Sequence, residues 1–184
     1  MHSKLFVVKF DFETIDNEEL MDEVDSYIYH YPYDSGEIDY IQSMEDMASR
    51  ESILNSNEDN HDGNYYRSEL IKSKVDNFCE EFNAEKIGEN KVKFTKDGLY
   101  QYFRKVIDRI KKHMDSIGYD VDKFLKERYH LIYGILDEDH PKYYCNYAGC
   151  EGESSFIDTI CCKMRYDNIN EIELEIIDVF DYHF

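Results

Sequence analysis

Two rows of carboxylates stand out along this chain. Glu171-Ile172-Glu173-Leu174-Glu175-Ile176 alternates acidic and aliphatic side chains. As a strand it sets Glu171, Glu173 and Glu175 on one face, about 6.6 Å apart at two residues per repeat. A DNA strand presents a phosphate about every 3.4 Å of axis, so such a row meets roughly every second phosphate position. Glu18, Asp22 and Asp25 recur at helical spacing and form a second row, one turn apart. Rows of this kind can imitate a phosphate backbone and engage the Lys and Arg side chains that would hold one. The plainer role is a solvated face, with Lys163 and Arg165 pairing across a C-terminal hairpin to Glu173 or Glu175. These six acids are the candidate partner-binding residues.

Other residues could do different chemistry. The run Phe6-Val7-Val8-Lys9-Phe10-Asp11-Phe12-Glu13-Thr14 resembles the first motif of the DEDD-type 3′-5′ exonucleases, a strand ending in Asp-x-Glu-Thr. Tyr133-Gly134-Ile135-Leu136-Asp137 is similar to that family's third motif, Tyr-x₃-Asp. The resemblance implies two Mg²⁺ ions held by Asp11 and Glu13, with Asp137 beside them in space. Ile15-Asp16 departs from the family's Thr-Gly, a helix follows at once, and no second Asp motif is clear; Asn60-His61-Asp62 falls in a loop. His140, Cys145, Cys150, Cys161 and Cys162 gather in the last third, but structural zinc sites use tighter pairs. If Ser155 to Tyr166 is a strand, Cys161 and Cys162 point to opposite faces and cannot share a metal. Free thiols are the expectation, with no metal site and no cofactor. No nucleophile pair and no phosphate-binding glycine loop is present.

Charge is the strongest compositional signal. Lys and Arg number 21 against 41 Asp and Glu, a net charge of -20 on 184 residues. Met1 to Asn64 carries three basic and seventeen acidic residues, or -14, and Tyr129 to Phe184 carries -9. Lys91 to Arg128 between them carries +5. Such a chain repels nucleic acid and anionic membranes and attracts basic surfaces. The basic side chains Arg104, Lys105, Arg109, Lys111 and Lys112 are expected to contact the acidic ends. In size, charge and tyrosine content (17 Tyr, no Trp) the chain resembles small acidic phage proteins that block host defence, the anti-CRISPR and anti-restriction inhibitors. That resemblance is compositional and carries no motif. It implies a non-enzymatic inhibitor occupying the nucleic-acid channel of a basic nuclease or nucleoprotein complex, with Tyr27, Tyr29, Tyr31, Tyr33 and Tyr40 among the contacts. An immunity or antitoxin-type protein binding a basic toxin is the alternative, and the Mg²⁺-dependent exonuclease a second.

The elements that must position these residues are read from periodicity. Lys4 to Glu13 alternates as a half-buried strand, with Phe6, Val8, Phe10 and Phe12 inward. Asp16 caps a helix carrying Leu20, Val24, Tyr27, Ile28 and Tyr31, which Pro32 stops. Ser35-Gly36 is a turn, Glu37 to Gln42 a short strand, and Ser43 to Asp46 a second cap. Asn55 to Asn64 is an exposed loop. Tyr66 to Phe82 is a helix, Glu85 to Thr95 a hairpin around Gly88-Glu89-Asn90. Leu99 to Ile117 is an apolar-striped helix stopped by Gly118, and Val121 to about Ile135 another. Ser155 to Tyr166 and Glu171 to Phe184 read as a closing antiparallel hairpin. The order argues an α+β fold in one domain over residues 1–184, with a possible subdivision near 55–64. Five cysteines, an odd number, fit a reducing compartment. With Met1-His2-Ser3 leading straight into a strand, no signal peptide is expected, and the protein is read as cytoplasmic, the host cytoplasm if phage-encoded.

Overall fold

The computed structural model describes residues 2–28, 40–44, 46–49, 63–129 and 142–183. Its strands are β1 (His2–Phe10), β2 (Tyr40–Gln42), β3 (Glu85–Lys86), β4 (Lys91–Thr95), β5 (Lys142–Cys145), β6 (Gly149–Glu151) and β7 (Glu171–His183). Its principal helices are α1 (Asn17–Ile28), α2 (Gly63–Phe82), α3 (Lys96–Ile117), α4 (Val121–Tyr129) and α5 (Glu153–Tyr166). The fold is α+β, with the N-terminal strand, the amphipathic helices and the central β3–β4 hairpin where the sequence puts them. The strands form one mixed sheet in the order β3-β4-β7-β1-β5-β6. Thirteen-residue β7 runs antiparallel to β1 along its length. On its other edge it takes β4 at one end and β2 at the other, both antiparallel. Among the described residues only β1 and β5 pair in parallel.

Strand β1 is buried on both faces, not half-buried. Phe6, Val8 and Phe10 face one core with Phe78, Phe82, Val92, Phe94, Tyr102, Tyr143 and Phe156. Leu5 and Val7 face a second, smaller core with Leu20, Val24 and Ile28 of α1. The alternation that suggested one wet face breaks down because Leu5 and Val7 are themselves apolar, and α1 lies over them. The larger core is dense in aromatic rings. Tyr143 stacks between Phe156 (4.4 Å) and Phe6 (5.6 Å), and Phe78 and Phe82 meet them edge-on or tilted.

The first arm of the expected C-terminal hairpin, Ser155 to Tyr166, is helical. Phe156, Ile157, Ile160 and Met164 are buried at helical spacing in α5. A short apolar run with β-branched residues reads equally as strand or helix. The deciding contacts are those with the sheet face, which a helix covers. Strand β7 therefore takes its antiparallel partners from β1, β4 and β2. Helix α3 ends at Gly118, whose φ of 61° suits a residue without a side chain. Only part of its apolar stripe is covered: Leu99, Tyr102, Val106 and Ile117 are buried, while Phe103, Ile107, Ile110 and Met114 remain 37–48% exposed. The Pro32 stop, the Ser35-Gly36 turn, residues 55–62 of the expected Asn55–Asn64 loop and the continuation of α4 towards Ile135 lie outside the described residues, while Gly63 and Asn64 of that loop already belong to α2.

Candidate functional site

Helix α1 is held to the sheet by Leu20, Val24 and Ile28, all at most 2% exposed. Its start is fixed by Asp16, whose Oδ1 accepts the Glu19 backbone N–H at 2.8 Å. That anchoring turns Glu18, Asp22 and Asp25 outward, and all three are exposed. The helix carries five carboxylates and no Lys or Arg. Among the described residues no ion pair reaches Glu18, Asp22 or Asp25. The Asp25 carboxyl is raised above its ordinary range, by partial burial and then by the charge of Asp22. Asp22 and Asp25 thus repel one another, and among the described residues no cation pairs with either.

The row on β7 has a different environment. The strand register sets Glu173 opposite Lys93 and Glu175 opposite Lys91 on β4, with Lys9 of β1 opposite Glu175 on the other side. The Lys93 ammonium lies 3.2 Å from Glu85 and 3.6 Å from Glu171. The Glu85 bond, then the charges of Glu85 and Glu171, raise its pKa. Asn90 Nδ2 donates to Glu175 Oε1 at 2.8 Å. The row is a cross-strand charge lattice, but its lysines come from β4 and β1. Lys163 and Arg165 cannot serve, because both sit on α5, where Lys163 pairs with Asp167 at 2.8 Å. Of the basic residues of α3, Arg104 lies over Tyr100 on the same helix and Lys105 donates to the Glu80 carbonyl of α2.

A polar cleft of about 230 Å³ opens where β1 ends, lined by Lys9, Asp11, Glu13, Lys91, Glu173 and Glu175. It brings Asp11 and Glu13 of the exonuclease-like motif beside the β7 row. Glu13 is committed elsewhere, however. Its Oε2 accepts the Phe10 N–H at 2.7 Å and its Oε1 the Tyr147 N–H at 2.6 Å, so the carboxylate fastens the end of β1 to the β5–β6 turn. Asp137 lies outside the described residues. Among the described residues no three His, Cys, Asp or Glu side chains cluster as a metal site requires. Cys145 is buried on β5, Cys161 is half-buried and Cys162 exposed on α5, and all three are free thiols. Being helical, Cys161 and Cys162 diverge by about 100° around the helix axis rather than facing opposite ways. His140 and the side chain of Cys150 are outside the described set. No family model, curated protein or solved structure matches this chain.

Two arrangements were not foreseen from the sequence. In the core the Tyr102 hydroxyl donates to Glu153 Oε1, with both residues at most 2% exposed. Burial and that bond push the Tyr102 hydroxyl far above its ordinary pKa. At the surface, Lys163 lies over Phe12 and beside Tyr147. Neither pair is near in sequence, so no local spacing could have signalled them. The β7–β4 lattice did leave a trace: Lys91-x-Lys93 alternates with the same period as Glu171-x-Glu173-x-Glu175. Among the described residues no helix is long and apolar enough to cross a membrane.

Proposed function

We propose that this protein is a non-enzymatic acidic binding protein that docks a basic, nucleic-acid-handling partner through the outer face of α1 and inhibits it by occupying the surface meant for phosphates. The observation that carries this reading is the contrast between the two carboxylate rows. On β7 the acids stand opposite lysines across the strand register, with Glu171 paired to Lys93 at 3.6 Å and Glu175 accepting from Asn90. On α1 five carboxylates share twelve residues without a cation. An approaching row of Lys or Arg side chains relieves that repulsion, and the summed field of a -20 chain steers such a surface inward.

The immunity-type alternative uses the same surface and differs only in what is bound, so the identity of the partner separates the two. The test is retention from a bacterial lysate on the immobilised protein, followed by elution with rising salt. Exposed charges are screened over about 8–10 Å at 0.1–0.15 M ionic strength. A basic nuclease or nucleoprotein complex released by salt supports the inhibitor reading, and a basic toxin the immunity reading. Retention only of proteins that resist high salt would move the interface to an apolar surface, such as the uncovered stripe of α3, and overturn both.

A further inference from the structure

We propose that the Phe12–Tyr147 corner is a receptor for an alkylammonium group, and that Lys163 occupies it as a resident stand-in. The geometry begins with the end of β1. Phe12 lies flat on Phe10, with ring centroids 4.9 Å apart and planes within 8°, so Phe10 closes one of its faces and the Lys163 ammonium lies over the ring as well. Tyr147, on the β5–β6 turn, stands nearly perpendicular to that ring at 5.5 Å. The two rings form a right-angled corner. The Lys163 ammonium sits in it, 4.5 Å from the Phe12 centroid and 5.8 Å from that of Tyr147. Asp167 closes the third side at 2.8 Å.

Aromatic faces attract cations through their quadrupole, and several rings around one ammonium are how quaternary amines and methylated lysines are recognised. The corner has that form, with a carboxylate added. It differs from the other cation–π contact described, Arg104 over Tyr100, where a single ring is used. The negative charges of Asp167 and Asp11 both bear on the Lys163 ammonium. The two sides of the corner are joined by the Glu13 carboxylate, which accepts from the Phe10 and Tyr147 backbone N–H groups. The corner's occupant is held by side-chain contacts alone. Lys163 reaches in from the last turn of α5, its anchor is a partly exposed i,i+4 pair, and such pairs hold weakly. Tyr147 is 59% exposed, which leaves the corner open to solvent. A ligand ammonium can therefore take the place of Lys163, whose side chain then moves into water. This site is separate from the α1 face, and it stands or falls independently of the docking proposed there.

The experiment titrates tetramethylammonium into the parent, Lys163→Ala and Lys163→Ala/Phe12→Leu proteins and follows the Phe12 and Tyr147 ring protons by NMR. Lys163→Ala is expected to show saturable shifts at millimolar ligand. The parent is expected to bind at least tenfold more weakly, because its own lysine competes. The double variant, with an unchanged amide fingerprint, is expected to lose the response. Should Phe12→Leu disturb that fingerprint, Tyr147→Ala replaces it. Titration of Lys163→Ala with Nα-acetyl-lysine methylamide and with choline then separates a lysine side chain from a free quaternary amine as the ligand. A folded Lys163→Ala protein without saturable shifts overturns the proposal. So does equal affinity in the parent, or binding that survives loss of the Phe12 ring.

Discussion

Replacing Glu13 by alanine removes the acceptor for two backbone N–H groups at once, those of Phe10 and Tyr147. A hydrogen bond to a charged group contributes about 1.5–3 kcal/mol when shielded, and leaving a buried donor unmade costs about 1–3 kcal/mol. The Tyr147 N–H is at the surface, so water takes over most of that bond. The Phe10 N–H is partly buried at the end of a central strand and keeps most of its loss. The expected destabilisation is about 2 kcal/mol, equivalent to a fall in Tm of about 4–8 °C for a domain of this size. Glu13→Gln keeps one acceptor oxygen, so about half of that is expected. Urea unfolding reads the difference as a shift in midpoint at constant slope. An alanine variant within about 0.5 kcal/mol of the parent, the experimental margin for an inert surface change, would refute the structural role given to Glu13. Millimolar Mg²⁺ is expected to leave the parent midpoint unchanged. A Mg²⁺-dependent rise that vanishes in Glu13→Ala would return this carboxylate to the metal chemistry its motif resembles.

Three further outcomes follow from the same geometry. Because the folded Asp25 carboxyl is raised, its unfavourable ionisation is felt above its folded pKa and absent at low pH. Asp25→Asn should thus be slightly more stable than the parent at neutral pH, with the gain vanishing as pH falls through the carboxylate range, checked by urea midpoints at both ends. Gly98 lies where a Cβ would come within 2.5 Å of the Asn83 carbonyl oxygen, so the turn that follows α2 must move away from α3 to admit one. Gly98→Ala is expected to cost about 1–3 kcal/mol by the same measurement. Burial pushes the Cys79 thiol up to about 11 and Cys145 is only 1% exposed, whereas Cys162 is exposed. Of these three, alkylation at mildly alkaline pH followed by peptide mass analysis should find Cys162 modified first and Cys145 only after unfolding.

Local periodicity carried much of the fold. The Asp16 cap, the Ser43–Asp46 pair, the Gly118 stop and the β3–β4 hairpin all depend on residues within a few positions of one another, and all are present. What failed depended on tertiary partners. Ser155 to Tyr166 has an apolar pattern compatible with either strand or helix, and only the sheet face it covers decides between them. The burial of Leu5 and Val7 depends on where α1 lands. For the candidate site, the α1 row was legible because i, i+4, i+7 spacing is a property of one helix. The lysines set opposite the β7 row were not, because they need the register of Lys93 against Glu173, eighty residues apart. The corner around Lys163 joins β1, a turn and α5, and no single segment announces it.

The two rows make opposite claims on a partner, and substituting each in turn tests the docking face most directly. With the salt-released partner captured from lysate, association rates are measured at low ionic strength for the parent, for Glu18→Gln/Asp22→Asn/Asp25→Asn, and for Glu171→Gln/Glu173→Gln/Glu175→Gln. Each variant removes three charges, so the bulk field of the protein changes equally. The α1 variant is expected to associate about tenfold or more slowly, within the range by which steering raises on-rates, and to inhibit less. The β7 variant should stay within about threefold of the parent, since its acids already face lysines. Equal behaviour of the two variants, or a larger loss from the β7 row, would contradict the assignment of the docking face to α1.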